Sequence, residues 1–185
     1  IAMGVLASGY GVMFTMLDDW RSEFGIQETG LSMIIAVGFF TSFIAQLTIA
    51  PYADRGHARK LMTVGMAANA AGALIMAFGS SLPMFLLGRF VMGVGAGIAI
   101  PAIKRIVIVS DPENMGGNLG RGVSIEVGGF AIGPVIAALT VDSINLSAPF
   151  ILIAVLITIA GVIISRLNIT ETAIEDRTAE RFAID

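Results

Sequence analysis

The 185-residue chain has no cysteine and one histidine, His57. Disulfides, thiol nucleophiles and cysteine metal sites are therefore excluded, and a single imidazole argues against a histidine metal centre or a Ser-His-Asp triad. Charge is scarce too. Only 14% of the residues are charged, against about 25% in an ordinary soluble domain. Hydrophobic residues make up 56%, and mean hydropathy is +0.87. A surface this poor in charge fits lipid as the solvent, not water. No Gly-rich phosphate loop and no positioned nucleophile stands out, so neither an enzyme nor a cofactor or metal is expected. The few basic residues sit in short clusters beside apolar runs, which gives nucleic-acid binding no support.

What is present is apolar sequence in long runs. A spanning helix needs about 20 mostly apolar residues. Six runs qualify, roughly 1–17, 30–52, 61–79, 83–103, 122–141 and 148–165. The chain opens at Ile1 inside the first run, so a truncated N-terminus is expected, and no cleavable signal is evident. The connections alternate in character. Residues 18–29 are acidic, 53–60 basic, 80–82 short and neutral, and 104–121 carry Lys104, Arg105 and Arg121. Basic loops stay cytoplasmic. Seven cations (Arg55, Arg59, Lys60, Lys104, Arg105, Arg121 and Arg166) fall on one side, against Arg21 and Arg89 on the other. Both ends of the chain are thus expected in the cytoplasm, in a multi-pass protein of the plasma (inner) membrane. Residues 168–185 mix acids with Arg177 and Arg181 and read as a solvated linker or, alternatively, as a helix lying on the membrane surface.

Several spans carry small residues at helical spacing, including Gly93 with Gly97 and Gly129 with Gly133. Between helices in lipid, close backbone approach replaces the hydrophobic drive. These glycines serve either generic packing or an interface that slides. Pro134, next to Gly133, removes a helix hydrogen bond and bends the axis, as a hinge or as a static kink. Two ionisable residues lie within spans, Arg89 and Glu126. A charge there costs about 2.5–3.5 kcal/mol, so it usually faces a partner or water. Arg89 either snorkels outward or lines a path. Glu126 either pairs with Arg121, Lys104 or Arg105 at the rim or takes part in proton exchange. Thr41, Gln46 and Asn69 are weaker candidates for lining a cavity.

Three stretches together resemble the major facilitator superfamily. Its loop signature between helices 2 and 3 reads roughly G-x-L-a-D-R-x-G-R-R/K. In "APYADRGHARK", Asp54, Arg55 and Arg59 match, while Ala50, Tyr52, His57 and Ala58 depart. "LGRFVMGVGAG" resembles the R-x-x-x-G pattern of helix 4, with Arg89 and Gly93 matching and Gly97 extending the small face. Gly120, Gly129, Gly133 and Pro134 fit the antiporter signature of helix 5, with Ala137 and Ala138 in place of its last glycines. The resemblance covers residues 1–167. It implies an all-α membrane protein of six helices, arranged as two inverted three-helix repeats that form half of a twelve-helix transporter. Residues 168–185 would open the central linker.

The resemblance further implies a transporter working by alternating access, with a lean toward proton-coupled export. Its partners would be a small-molecule substrate, protons, the lipid bilayer and a C-terminal six-helix half. Asp54, Arg55, Arg59 and Lys60 would form a cytoplasmic latch, with Asp54 accepting from Arg55 or Arg59 or capping a helix N-terminus in the other half; the alternative is that these cations only hold the loop inside. Arg89 would bond the backbone of helix 1 near a proton site. Gly93, Gly97, Gly120, Gly129, Gly133 and Pro134 would form the hinge surface. Two alternatives stand beside this reading. One is a six-helix interaction or assembly subunit. The other is a uniporter or symporter of the same superfamily.

Overall fold

The computed structural model describes residues 1–166, and among these every regular element is a helix. Ala2–Thr15 forms α1 and Leu17–Phe24 forms α2, a short polar extension of the same rod. Then follow α3 (Glu28–Thr48), a 3-10 turn (Ala50–Arg55), α4 (Ala58–Ala77), α5 (Leu82–Ser110), α6 (Met115–Val141) and α7 (Ala148–Arg166). Five of these helices are long and apolar enough to cross a membrane, and α1 is a shorter apolar helix.

The helix ends differ from the sequence expectation in one systematic way. Residues 104–121 were expected as a connection, yet α5 runs on to Ser110 and α6 begins at Met115. Lys104, Arg105 and Arg121 are therefore helical. Cations mark where a helix leaves hydrocarbon, not where its hydrogen bonding stops. At about 1.5 Å per residue the 29 residues of α5 extend about 43 Å, well beyond a hydrocarbon core of about 30 Å. The tight turn after α5 is organised by Asp111, whose carboxylate accepts from Asn118 at 2.9 Å and Asn114 at 3.1 Å. These bonds hold the Asp111 carboxyl below the usual carboxylate range. The acidic connection 18–29 is likewise half helix, because Asp18 and Asp19 sit in the first turn of α2, where acids favour helix. Gly25, with φ +62°, ends it.

Packing follows the inverted-repeat plan. The first repeat is α1, α3 and α4; the second is α5, α6 and α7. α1 packs on α6 just as its counterpart α5 packs on α3, and the third helices α4 and α7 pack together. α4 and α5 form the most extensive contact, through small residues. A side chain at Gly65 would meet the Gly95 carbonyl at 2.7 Å, and one at Gly72 the Gly88 carbonyl at 2.8 Å. At the acidic end of the bundle Trp20 is fully buried. It stacks on Phe85 at 4.6 Å and Phe150 at 5.7 Å, tying α2 to α5 and α7. By contrast α6 buries only Gly133 and Ala137, and exposes Val127, Val135 and Leu139.

Candidate transport site

Two of the helix contacts leave a gap between them. α1 against α6 and α3 against α5 are the counterpart seams of the two repeats, and a cavity of about 500 Å³ opens between those four helices. Glycine makes both seams close. On one side a Cβ at Gly93 or Gly97 would run into the backbone of Gly38 or Ser42. On the other a Cβ at Gly129 would meet the Gly4 Cα at 2.6 Å, and one at Gly133 the Gly11 Cα at 2.5 Å. Pro134 contributes directly. Its ring cannot donate to the carbonyl four residues back, Phe130, and that freed carbonyl is the atom a side chain at Gly11 would strike first. Gly120 is exposed, and a Cβ there meets nothing within 4 Å among the described residues.

Tyr10 of α1, Phe39, Ser42 and Gln46 of α3, Lys104 of α5, and Glu126 and Phe130 of α6 line the cavity. Lys104 Nζ lies 3.7 Å from Glu126 Oε2, so of the three cations weighed for Glu126, Lys104 is the one that pairs with it. Their side chains are 38% and 28% exposed. Gln46 donates to the Ser42 hydroxyl at 3.2 Å. The other two polar candidates do not reach the cavity. Thr41 is buried in the α3–α5 seam, where it donates to Val37 O at 2.8 Å. Asn69 is buried under α5 and donates to Met92 O at 2.8 Å.

Arg89 does not snorkel. It is fully buried, with the guanidinium 4.9 Å from the centre of the Tyr10 ring. Its Nε donates to Ile34 O of α3 at 3.3 Å, so the backbone acceptor comes from α3 and not from the first span. α1 supplies a ring face instead. Both terminal nitrogens lack a hydrogen-bond partner. Gly38 makes the space they occupy: a Cβ there would collide with the guanidinium. Tyr10 thus stands between the buried cation and the cavity that holds Glu126.

The turn between α3 and α4 also departs from expectation. Asp54 Oδ1 pairs with Arg105 Nε of α5 at 3.1 Å, rather than with Arg55 or Arg59. This is possible because α5 continues past the apolar stretch and brings Arg105 alongside the turn. Arg55 lies over the Tyr52 ring at 5.1 Å, Arg59 donates to the Ser165 carbonyl of α7, and Lys60 lines a shallow groove beside Arg59. His57 stands where the signature has glycine, yet the turn is kept. Gly56, one position earlier, takes φ +79°, the left-handed conformation that glycine adopts without strain.

Sequence reasoning singled out Arg89, Glu126 and Gln46 but missed Tyr10, Phe39, Ser42 and Phe130. A signal existed. Residues 10 and 14, 39, 42 and 46, and 123, 126, 127 and 130 recur at helical spacing, each placing rings and polar groups on one face.

Comparison with known proteins agrees with this architecture. The sequence model described as Major Facilitator Superfamily matches residues 1–182. The chain is 29% identical over 93 residues to a triacylglyceride transporter of Mycolicibacterium smegmatis, covering 49% of this chain and 17% of that protein. It is 22% identical over 131 residues to quinolone resistance protein NorA of Staphylococcus aureus, covering 68% of this chain and 33% of that protein. The chain thus spans a third or less of the curated relatives it matches. With six apolar helices in two inverted repeats and a match over nearly its whole length, this membrane chain belongs to the Major Facilitator Superfamily.

Proposed function

We propose that this chain is the N-terminal half of a secondary transporter that exports a small solute by alternating access, driven by protons. A C-terminal six-helix half would cover the exposed face of α6, and residues 168–185, outside the described residues, would begin the linker to it. The basic end of the bundle would face the cytoplasm of the inner membrane, which agrees with the seven cations gathered there.

The observation that carries the reading is the Lys104–Glu126 pair, which lines the cavity near the basic end of the bundle. A half-buried carboxylate there is favoured by a cation beside it. Protonating Glu126 leaves Lys104 without its counter-charge and favours whichever conformation rehydrates it. A bias of a few kcal/mol suffices to shift a two-state equilibrium. The test uses the full-length protein in proteoliposomes, with an imposed proton gradient and a panel of aromatic solutes. A quinolone is included because one relative is named for resistance to that class. Glu126→Gln is expected to remove the dependence of solute accumulation on the gradient, at least tenfold. An unchanged pH profile would make the pair a plain structural bridge and end the proton-coupling proposal.

The Asp54 turn fits a latch that must break as the cavity opens inward. Arg55, Arg59 and Lys60 would hold the turn on the cytoplasmic side, and the Asp54–Arg105 pair would tie it to α5. Asp54 is 68% exposed, and exposed pairs contribute only about 0–1 kcal/mol. Asp54→Asn should therefore leave insertion and thermal stability nearly untouched while lowering transport severalfold. Vesicles carrying this variant and transporting at the normal rate would rule the latch out.

A further inference from the structure

The Lys104–Glu126 pair is loose. Its 3.7 Å separation exceeds the roughly 2.7–2.9 Å of a charge-assisted hydrogen bond. Both side chains open on the cavity. An ammonium offers three donors and a carboxylate about four acceptor positions, so each group keeps capacity for a further partner. The wall beside them is aromatic. Phe14 meets Phe130 edge-on at 5.9 Å and Phe39 at 6.5 Å, and Tyr10 lies 5.7 Å from Phe39. Phe39 and Phe130 are each about half exposed and face the cavity.

We infer that this cavity binds an aromatic zwitterion of the aromatic amino acid type, with its ammonium and carboxylate on one carbon. Charge balance selects this class. A purely cationic ligand would take Glu126 and leave Lys104 without its counter-charge in the cavity, and a purely anionic one would do the reverse. A compact zwitterion inserts beside the pair so that four charges alternate: ligand ammonium on Glu126, ligand carboxylate on Lys104. Charged groups on one carbon match a pair 3.7 Å apart, which widely spaced charges would not. The aromatic part then lies against Phe39 and Phe130, gaining ring contact of about 0.5–1.5 kcal/mol beyond area burial. A volume of about 500 Å³ lies in the usual range for small-molecule sites. This inference rests on the reading of the cavity as the solute path.

The test is equilibrium binding to the full-length protein in nanodiscs at neutral pH with no gradient. Three probes share one ring system: naphthylalanine, its methyl ester and its N-acetyl derivative, which are a zwitterion, a cation and an anion. The zwitterion is expected to bind at least tenfold tighter than either. Lys104→Met should erase its advantage over the ester, and Glu126→Gln its advantage over the N-acetyl form. Exchanging both charges, Lys104→Glu with Glu126→Lys, should restore the preference and guards against simple misfolding of a single variant. Phe39→Ala should weaken all three probes alike. Binding of the ester or the N-acetyl form within threefold of the zwitterion overturns the inference. So does binding of none of the three, or a folded charge-exchanged protein without the preference. Proton-driven transport without this charge preference would overturn the ligand assignment alone. The preference without proton-driven transport would overturn the coupled-export proposal alone.

Discussion

Replacing Gly129 by leucine will leave little correctly packed protein, whereas the same substitution at Gly120, nine residues earlier on the same helix, meets no atom of this six-helix bundle. The two positions belong to one spaced glycine pattern, yet their surroundings are opposite. A Cβ at 129 would overlap the Gly4 carbonyl and sit 2.6 Å from the Gly4 Cα. Both obstacles are backbone, so no rotamer change relieves them, and α1 must move away from α6. Overpacking costs about 1–3 kcal/mol where side chains can adjust. The absence of any adjustable atom places Gly129→Leu at or beyond the top of that range. Separating α1 from α6 also removes most of what holds α6, which buries only two residues along its length. Gly120 meets nothing among the described residues, so in this six-helix chain a leucine there removes only glycine's helix penalty, a gain of up to about 1 kcal/mol. Size-exclusion profiles and melting curves of the two purified variants decide the matter. A monodisperse Gly129→Leu protein melting within a few degrees of wild type would contradict the packing argument.

That contrast shows which parts of the molecule are legible in the chain. Spans are legible because a bilayer demands long apolar runs, and the six runs correspond to the helices found. Helix ends are not, because Lys104 and Arg105 mark the edge of hydrocarbon while hydrogen bonding continues to Ser110. Arg89 and Glu126 stand out because an ionisable residue in an apolar run is costly wherever it points. Tyr10, Phe39 and Ser42 do not stand out, since rings and hydroxyls are ordinary in such runs. They become a site only when four helices bring them to one cavity. The partner of Asp54 was equally hidden. Its neighbours in sequence are cations, and nearness along the chain suggested Arg55 or Arg59. The observed partner, Arg105, depends on the length of a different helix.

Arg89→Met is expected to leave the protein as stable as wild type, or more so, while proton-driven transport falls at least a hundredfold. The two effects separate because the buried arginine is poorly compensated. Placing a guanidinium at membrane depth costs about 2.5–3.5 kcal/mol, and Arg89 is fully buried. Against that stand one hydrogen bond to Ile34 O, at 3.3 Å, and the Tyr10 ring face. The latter is worth up to about 2 kcal/mol when desolvated, and two nitrogens remain unpartnered. Methionine fills similar space with no charge to desolvate, so stability should hold. What is lost is a fixed positive charge one ring away from the cavity that holds Glu126. Arg89→Lys should transport at an intermediate rate, since an ammonium keeps the charge but lacks the planar face that matches Tyr10. Gly38→Ala provides an independent check. It leaves Arg89 in the sequence but puts a methyl where the guanidinium lies, so transport should fall although no charge has been removed. Melting temperature and gradient-driven uptake, measured on the same preparations, separate the outcomes. An Arg89→Met protein with full proton-driven uptake would remove Arg89 from the mechanism. A protein whose uptake falls only in step with its stability would show that the arginine serves packing alone.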